Sequence, residues 1–280
     1  ERLMIMRMRK LWTLIGMILL ISCLTGCAWQ EQLSAEESFN RALSGLSGID
    51  NFSFKGEAAI RSEENGPFQQ SMAFEGHLQH HKDLTLSSKG EAAKLLQEKG
   101  PADSIYKADG LKVTLKRKQG RWSTLSSQGA DEMWMTCLNP LELLEYLGNS
   151  EKTVTQELGA ARGTKVLRIE LSPEAAAEMA YGSLDEQMKV LAERIERKGD
   201  PLYSDNPKVR KQLKTVWERD YKEMRNRLQK ADALSVSHLT INKKNHLPAK
   251  LTMERKLSFI DSHGKTRTET LLSEVTFTGY

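Results

Sequence analysis

Apolar and polar residues alternate along two neighbouring stretches, residues 52–60 and residues 71–79. Aromatic, aliphatic and glycine residues take the even positions, and polar or charged residues take most of the odd ones. Side chains of a β-strand point alternately to the two faces of a sheet, so this period of two predicts strands with one apolar face. Asn65-Gly66 between them is typical of a hairpin turn. An antiparallel sheet of this kind needs other elements to cover its apolar face.

Other segments extend this pattern into a mixed α and β chain. Further strands are predicted at Leu84–Leu86 and at residues 111–116, 154–158, 165–171, 234–241, 247–260 and 268–277. Helices are predicted over residues 34–46, 140–147, 173–198 and 209–228, and residues 91–99 fit either a short helix or an irregular crossing. Asn139-Pro140 and Ser172-Pro173 are typical helix starts, because proline is favoured in the first turn. The chain is therefore predicted to form one α+β domain, whose antiparallel sheet is interrupted by a helical insertion at about residues 173–231.

Composition excludes several classes of protein. The 280 residues are 39% hydrophobic and 28% charged, which is too apolar for a disordered chain. There are 41 basic and 37 acidic side chains, and four of the basic ones lie in residues 1–26. The rest of the chain is nearly balanced in charge, so no general nucleic-acid-binding surface is predicted.

The N-terminal residues have the pattern of a secretion signal. Arg7, Arg9 and Lys10 precede 14 uncharged residues, Leu11–Leu24. A bilayer-spanning helix needs about 20 residues, so this segment better fits the apolar region of a signal peptide.

The end of this segment, Leu24-Thr25-Gly26-Cys27, resembles the lipobox of bacterial lipoproteins. The resemblance implies that residues 1–26 are cleaved and that the Cys27 sulfur carries a diacylglycerol, with fatty acids such as palmitate, on the extracytoplasmic face of the cell membrane. Two acyl chains give stable anchoring. Residues 27–33 then form a lipidated tether, and residues 34–280 form the folded domain. The alternative is an ordinary cleaved signal, or an N-terminal anchor helix, in which the cysteine occurs by chance.

The chain has three cysteines, Cys23, Cys27 and Cys137. Cleavage and lipidation leave Cys137 alone, so no intrachain disulfide is predicted in the mature protein. Cys137 follows an apolar run, which favours a buried structural thiol over a reactive nucleophile.

Several segments together resemble one superfamily of lipid-binding proteins. They are the N-terminal helix, the glycine-containing strands at 52–60 and 71–79, Gly120-Arg121-Trp122, Leu239–Lys243 and Leu247–Lys250. The chain is similar in these features to the lipoprotein-localisation factors LolA and LolB and to the lipoproteins LppX and LprG. The resemblance implies a curved antiparallel sheet that forms an incomplete β-barrel. Helices would cover its concave face and enclose an apolar cavity for acyl chains.

The apolar sheet face is the candidate ligand site. Its predicted lining residues are Phe52, Phe54, Met72, Phe74, Leu111, Val113 and Trp122. Gly56 and Gly76 lie on the same face, where we expect them to leave room for a ligand. The alternative is that these side chains simply fill the core.

No pattern of residues indicates catalysis, a metal or a cofactor. His77, His80 and His81 fall on a predicted strand, where neighbouring positions point to opposite faces and His77 and His81 lie about 13 Å apart. They are therefore predicted to be solvated and not zinc ligands. No nucleophile motif or phosphate-binding loop is present, so an enzyme is not predicted.

Two functions follow from the sequence. The first is a membrane-anchored extracytoplasmic lipoprotein that binds a lipid or another apolar ligand in a half-barrel cavity without a reaction. The alternative is an envelope sensor or protein-interaction module on the same scaffold, with the charged helices at residues 173–231 as the docking surface for a protein partner.

Overall fold

The computed structural model describes residues 33–63, 66–89, 110–124, 130–200, 203–261 and 263–280. Its contacts divide the chain into two units, Glu1–Ser34 and Ala35–Tyr280, and every element below lies in the second. The strands are β1 (Phe52–Arg61), β2 (Gln70–Gln79), β3 (Asp83–Lys89), β4 (Lys112–Lys118), β5 (Arg121–Thr124), β6 (Lys152–Gln156), β7 (Thr164–Leu171), β8 (Asp232–Asn242), β9 (Pro248–Ile260) and β10 (Thr266–Thr278). The helices are α1 (Ala35–Ser47), α2 (Ala130–Thr136), α3 (Pro140–Asn149), α4 (Pro173–Glu196) and α5 (Pro207–Leu228).

All ten strands form one curved, open antiparallel sheet in the order β5-β4-β3-β2-β1-β10-β9-β8-β7-β6. The first and last of these described strands, β1 and β10, pair in the middle of the sheet, in a register from Ser53 opposite Thr278 to Arg61 opposite Thr270. The outer strands β5 and β6 do not pair with each other, so the barrel is incomplete. The predicted α+β fold, a half-barrel with helices against it, is confirmed.

One face of the sheet and the helices share a single main core. Phe39, Ala42 and Leu46 of α1 and Leu144 and Leu147 of α3 are buried against it. From the strands, the fully buried members of this core include Phe54, Leu84, Leu86, Leu115, Leu167, Ile169, Leu239 and Leu251. Burying each such side chain contributes about 1.5–3 kcal/mol relative to its exposure, so this interface is the main source of stability.

The predicted start signals of two helices are confirmed. The Asn139 side chain accepts a hydrogen bond from the Leu141 backbone amide, with Pro140 in the first turn of α3. Ser172 caps α4 in the same way, with Pro173 in its first turn. These caps satisfy amide groups that have no partner inside the helix.

Hairpin β4–β5 shows how the chain turns tightly at the sheet edge. Gln119 and Gly120 both have positive φ, 50° and 78°. Two such residues in succession suit the right-handed twist of a hairpin, and glycine adopts this conformation without strain. The turn brings Trp122 opposite Arg117.

Some predictions differ from the structure or fall outside it. Helix α2 was not predicted, because its seven residues are too few to show a helical period. Strand β6 begins at Lys152, two residues before the predicted start. The open question at residues 91–99 and the predicted turn residue Asn65 lie outside the described residues. Within the described part of the chain, no helix is long and apolar enough to cross a membrane.

Candidate ligand-binding site

A pocket of about 390 Å³ opens where α1 and α3 meet the half of the sheet formed by β1–β5. This volume lies within the usual range for small-molecule sites, about 300–1,000 Å³. Half of the lining residues are apolar: Leu43, Leu46, Ile49, Phe52, Leu78, Trp122, Leu141 and Leu144. We refer to it as the α1–α3 pocket.

The spacing of residues on the two helices builds the apolar wall. Leu43 and Leu46 are three residues apart on α1, as are Leu141 and Leu144 on α3, so each pair lies on one helix face. The two helices approach closely at Gly148, because a Cβ atom there would lie 2.9 Å from Leu43 Cδ1. Any larger residue at position 148 would require the Leu43 side chain to move.

The polar residues of the pocket include one ion pair. Arg117 Nη2 of β4 lies 2.8 Å from Glu145 Oε1 of α3, and both side chains are about one-third exposed. Burial raises the pKa of Glu145, while the charge of Arg117 acts in the opposite direction. The pair thus joins the sheet to α3 at the pocket. His81, another lining residue, pairs with Asp50.

One polar group in the lining has no partner. The Trp122 Nε1 atom is buried and forms no hydrogen bond in the described part of the chain. A buried donor without an acceptor costs about 1–3 kcal/mol, and a ligand oxygen that reaches this atom would offset that cost. The pocket is therefore suited to an apolar molecule that carries a hydrogen-bond acceptor.

The structure separates the seven predicted lining residues into two groups. Phe52 and Trp122 line the α1–α3 pocket. The other five are part of the packed core or pack against it: Phe54, Met72, Phe74 and Val113 are buried, and Leu111 is half-buried.

The interpretation of Gly56 and Gly76 as open space is wrong. Gly56 lies opposite Phe74, and Gly76 lies opposite Phe54. A Cβ at Gly56 would lie 2.4 Å from Phe74 Cζ, and one at Gly76 would lie 2.1 Å from Phe54 Cζ. Each phenyl ring therefore occupies the space above the glycine of the neighbouring strand. The sequence shows that these two positions have no side chain, but it does not show which rings fill the space above them.

The placement of the histidines is partly wrong. Strand β2 ends at Gln79, and His80 and His81 lie in the following turn with φ of 52° and 59°. The His77 ring lies on the strand, with Nδ1 2.8 Å from Ser53 Oγ. Among the described residues, no group of three or more histidine, cysteine or acidic side chains could hold a metal ion.

The prediction of a buried Cys137 is also wrong. Its thiol is free and exposed, with Sγ 3.4 Å from Ser183 Oγ and from Gln187 Nε2 of α4. The apolar residues that precede it belong to α2, and only some of them face the core.

Sequence analysis missed the helical half of the pocket. Leu43, Leu141 and Leu144 lie within the helices predicted at residues 34–46 and 140–147, but they were not predicted as ligand contacts. The available signal was that two apolar helices must cover the same sheet face. Their meeting point, however, depends on long-range packing.

Helices α4 and α5 form a hairpin with opposite charges. Helix α4 carries six acidic and two basic side chains, and α5 carries eight basic and three acidic ones. Lys214 Nζ lies 2.6 Å from Glu196 Oε1, and Trp217 Nε1 donates to the Met188 carbonyl at 2.9 Å. Part of the charge predicted as a docking surface is thus paired within the hairpin, also through Lys189–Asp185 in α4 and Arg227–Glu223 in α5.

The fold and the pocket together define a helix-covered antiparallel half-barrel. No protein-family model and no curated protein matches the chain. A solved structure of lipovitellin, described in terms of lipid–protein interactions, matches with a TM-score of 0.39 and 10% identity. The match covers 82% of this chain but 25% of the lipovitellin chain, so this chain spans about a quarter of that protein's length.

Two bacterial structures match over almost their full length. A LolA superfamily protein from Nitrosomonas europaea has a TM-score of 0.24 and 8% identity, with 89% of this chain and 95% of that one covered. LprF from Mycobacterium bovis has a TM-score of 0.31 and 7% identity, with 88% and 91% covered. These TM-scores describe a loose likeness of fold, so the function proposed below rests on the chain's own residues.

Proposed function

We propose that this chain is a bacterial envelope lipoprotein, anchored through Cys27 on the extracytoplasmic face of the membrane, that binds an acyl chain or similar apolar ligand without a reaction. The observation that carries this proposal is the α1–α3 pocket, a recess of about 390 Å³ in which half of the lining residues are apolar. Residues 24–27 lie outside the described residues, so the anchor rests on the lipobox pattern alone.

The lining of the pocket supports an amphiphilic ligand. Leu43, Phe52 and Leu144 offer apolar contacts, and the Trp122 indole N–H offers a hydrogen bond. An ester or carboxyl oxygen is the simplest acceptor for that donor. The ligand class is therefore a molecule with an alkyl chain and an oxygen-bearing end.

The first experiment asks whether the protein carries a lipid. The full chain is purified from membranes in nonionic detergent and extracted with organic solvent, and the extract is analysed by mass spectrometry. We expect one class of acyl lipid in about stoichiometric amount. An extract with only the lipid mixture of the surrounding membrane would contradict the proposal.

A pair of variants tests the location. Ser44 is exposed and lines the pocket, whereas Arg41 is exposed on the same helix but does not line it. We expect Ser44→Phe to reduce lipid recovery several-fold, because the ring occupies the pocket entrance. Arg41→Phe adds the same ring elsewhere and should leave lipid recovery unchanged. Equal lipid recovery from both variants would exclude this pocket.

A second function, docking of an envelope protein, is supported by the surface of α5. In this helix only Leu228 is buried, and Val216 is 44% exposed. An exposed valine on a helix covered in basic side chains fits an acidic partner with an apolar patch. Val216→Glu should then abolish crosslinking of a photoreactive residue at position 212 to an envelope protein, whereas Thr215→Glu should not. Crosslinking that persists in both variants would exclude this surface.

A further inference from the structure

The inner face of strand β9 carries one charged residue among apolar ones. Leu251, Met253 and Leu257 are buried on this face. Because strand residues alternate between faces, Arg255 points to the same side. Helix α4 packs over this half of the sheet, with Ala180 buried against Leu257. Arg255 therefore lies beneath α4 and not on the outer surface.

Arg255 has no hydrogen bond and no ion pair among the residues that the structure describes. Its side chain is half-buried. The charged or titratable groups that face it are Glu269 of β10, which does not reach it to form an ion pair, and the Cys137 thiol after α2. Burial lowers the pKa of Arg255, and Glu269 opposes this effect. A charged group in such a position is costly unless an anion accompanies it.

Two unpartnered hydroxyls lie on strand β8 next to Arg255. Ser235 is the direct cross-strand neighbour of Arg255, and Ser237 follows on the same face. Both serines are fully buried, and neither Oγ atom has a hydrogen-bond partner among the described residues. The buried hydroxyl of Tyr181, on α4, also lacks one. Buried polar groups are nearly always paired, so several unpaired ones on one apolar face indicate a missing partner.

We propose that Arg255, with Ser235 beside it, forms a second ligand site beneath α4 that binds the phosphate or carboxylate group of an amphiphile. The planar guanidinium matches these groups because it donates two parallel hydrogen bonds. Met253 and Leu257 provide apolar contacts on either side for an alkyl chain. This site is separate from the α1–α3 pocket and does not depend on it. The partial exposure of Arg255 and the exposed Cys137 nearby give the site a route to solvent.

The experiment compares three probes on the full chain in one nonionic detergent by titration calorimetry: decyl phosphate, decanol and inorganic phosphate. Decyl phosphate should bind wild type at least tenfold more tightly than decanol. Arg255→Gln should abolish that difference, and Arg255→Lys should retain part of it. Lys256→Gln is the matched control, because it removes the same charge one residue away on the opposite face, and it should change decyl phosphate affinity less than twofold.

The probes also identify the source of the anion. Binding of inorganic phosphate with the same dependence on Arg255 would assign the site to a free anion, and binding of decyl phosphate alone would assign it to a lipid headgroup. Equal wild-type affinities for decyl phosphate and decanol, with no binding of inorganic phosphate, would overturn the proposal. So would equal losses in Arg255→Gln and Lys256→Gln. If Arg255→Gln does not fold, as judged by circular dichroism, the wild-type comparison and Arg255→Lys decide.

Discussion

Two reciprocal pairs of phenylalanine and glycine occupy the middle of the β1–β2 ladder. Phe54 covers Gly76, and Phe74 covers Gly56, each from the directly opposite position. The two rings lie 6.5 Å apart and nearly perpendicular, an arrangement favoured by aromatic pairs. These glycines therefore create sites for rings and are part of the packing.

Gly76→Ala tests this packing. The new methyl group would meet the Phe54 ring at 2.1 Å, so the ring must move, and we expect a loss of about 1–3 kcal/mol in the free energy of unfolding. Gly182→Ala is the control, since nothing lies within 4 Å of a Cβ there and alanine favours a helix. Urea denaturation measures both. An unchanged midpoint in Gly76→Ala would contradict the described packing.

Asp261 organises the turn between β9 and β10. Its carboxylate accepts hydrogen bonds from the backbone amides of Lys265 and His263 and from Arg267 Nε. The Lys265 amide is the main cause that lowers the pKa of Asp261 to about 2. Because the folded pKa is lowered, the stabilisation is present above the unfolded value of about 3.9 and is lost as pH falls toward about 2.

Asp261→Asn gives the matching prediction. We expect wild type to be more stable than this variant at pH 6 and the difference to shrink between about pH 4 and pH 2, because wild type then loses its charge. Thermal unfolding of both chains across this pH range measures the effect. A difference that stays constant down to pH 2 would show that the charge does not stabilise the turn.

At the level of single residues, the sequence predicted the face of the sheet on which a residue lies. It did not predict the neighbours that the residue contacts. The even positions from Phe52 to Ala58 do face the core, because strand alternation depends only on local geometry. The neighbour of each residue depends on register, which places Phe54 and not a ligand above Gly76. Likewise, the Cys137 environment depends on where α2 ends.

Helix α4 ends at a buried ion pair. Arg194, the last basic residue of the helix, is 7% exposed, and Asp200, in the loop that follows, is 5% exposed. Arg194 Nε and Nη2 donate to the two carboxylate oxygens at 3.1 and 3.2 Å. This bidentate contact fixes the loop where the chain leaves α4 toward α5.

Asp200→Asn should destabilise the protein by about 3–5 kcal/mol, because the buried Arg194 then loses the carboxylate with which it forms its bidentate contact. The double variant Arg194→Met/Asp200→Asn should recover part of this loss, since the buried charge is removed together with the carboxylate. Chemical denaturation of the three chains measures it. A double variant less stable than Asp200→Asn alone would show that Arg194 stabilises the helix end by other contacts.

Sequence patterns predicted the position of most helices and strands to within a few residues. Proline and a capping side chain at Asn139 and Ser172 gave correct starts for α3 and α4, because caps act within one turn. Helix α2 was missed because it is short. The α1–α3 pocket was missed because it lies between elements that are about 100 residues apart in the chain.

For the whole molecule, attachment to the membrane is the first prediction to test. Cells that express the chain are labelled with radioactive palmitate, and Cys27→Ala should remove the label and release the chain from the membrane fraction. Cys23→Ala is the control, because it removes a cysteine from the same segment but keeps the lipobox residue. Label that persists in Cys27→Ala would contradict anchoring at this position.

The fold class could be predicted from the sequence, but the order in which the strands pair in the sheet could not. Alternating residues predict strands, and a one-sided sheet predicts helices against it. Nothing in a single sequence shows that Ser53 pairs with Thr278 across more than 200 residues. That pairing is decided by the complementarity of whole surfaces.

The pairing of β1 with β10 in the middle of the sheet affects how the protein folds during its synthesis and export. A polypeptide exported with its N-terminus first presents β1 early, yet the strand that closes its second edge, β10, follows all the other described strands in the chain. Until Thr266–Thr278 emerges, β1 has an open hydrogen-bonding edge that is prone to pair with a neighbouring chain. Deletion of Thr266–Thr278 would therefore split the sheet at its midline, and the product should aggregate or be degraded even though all five described helices are still encoded.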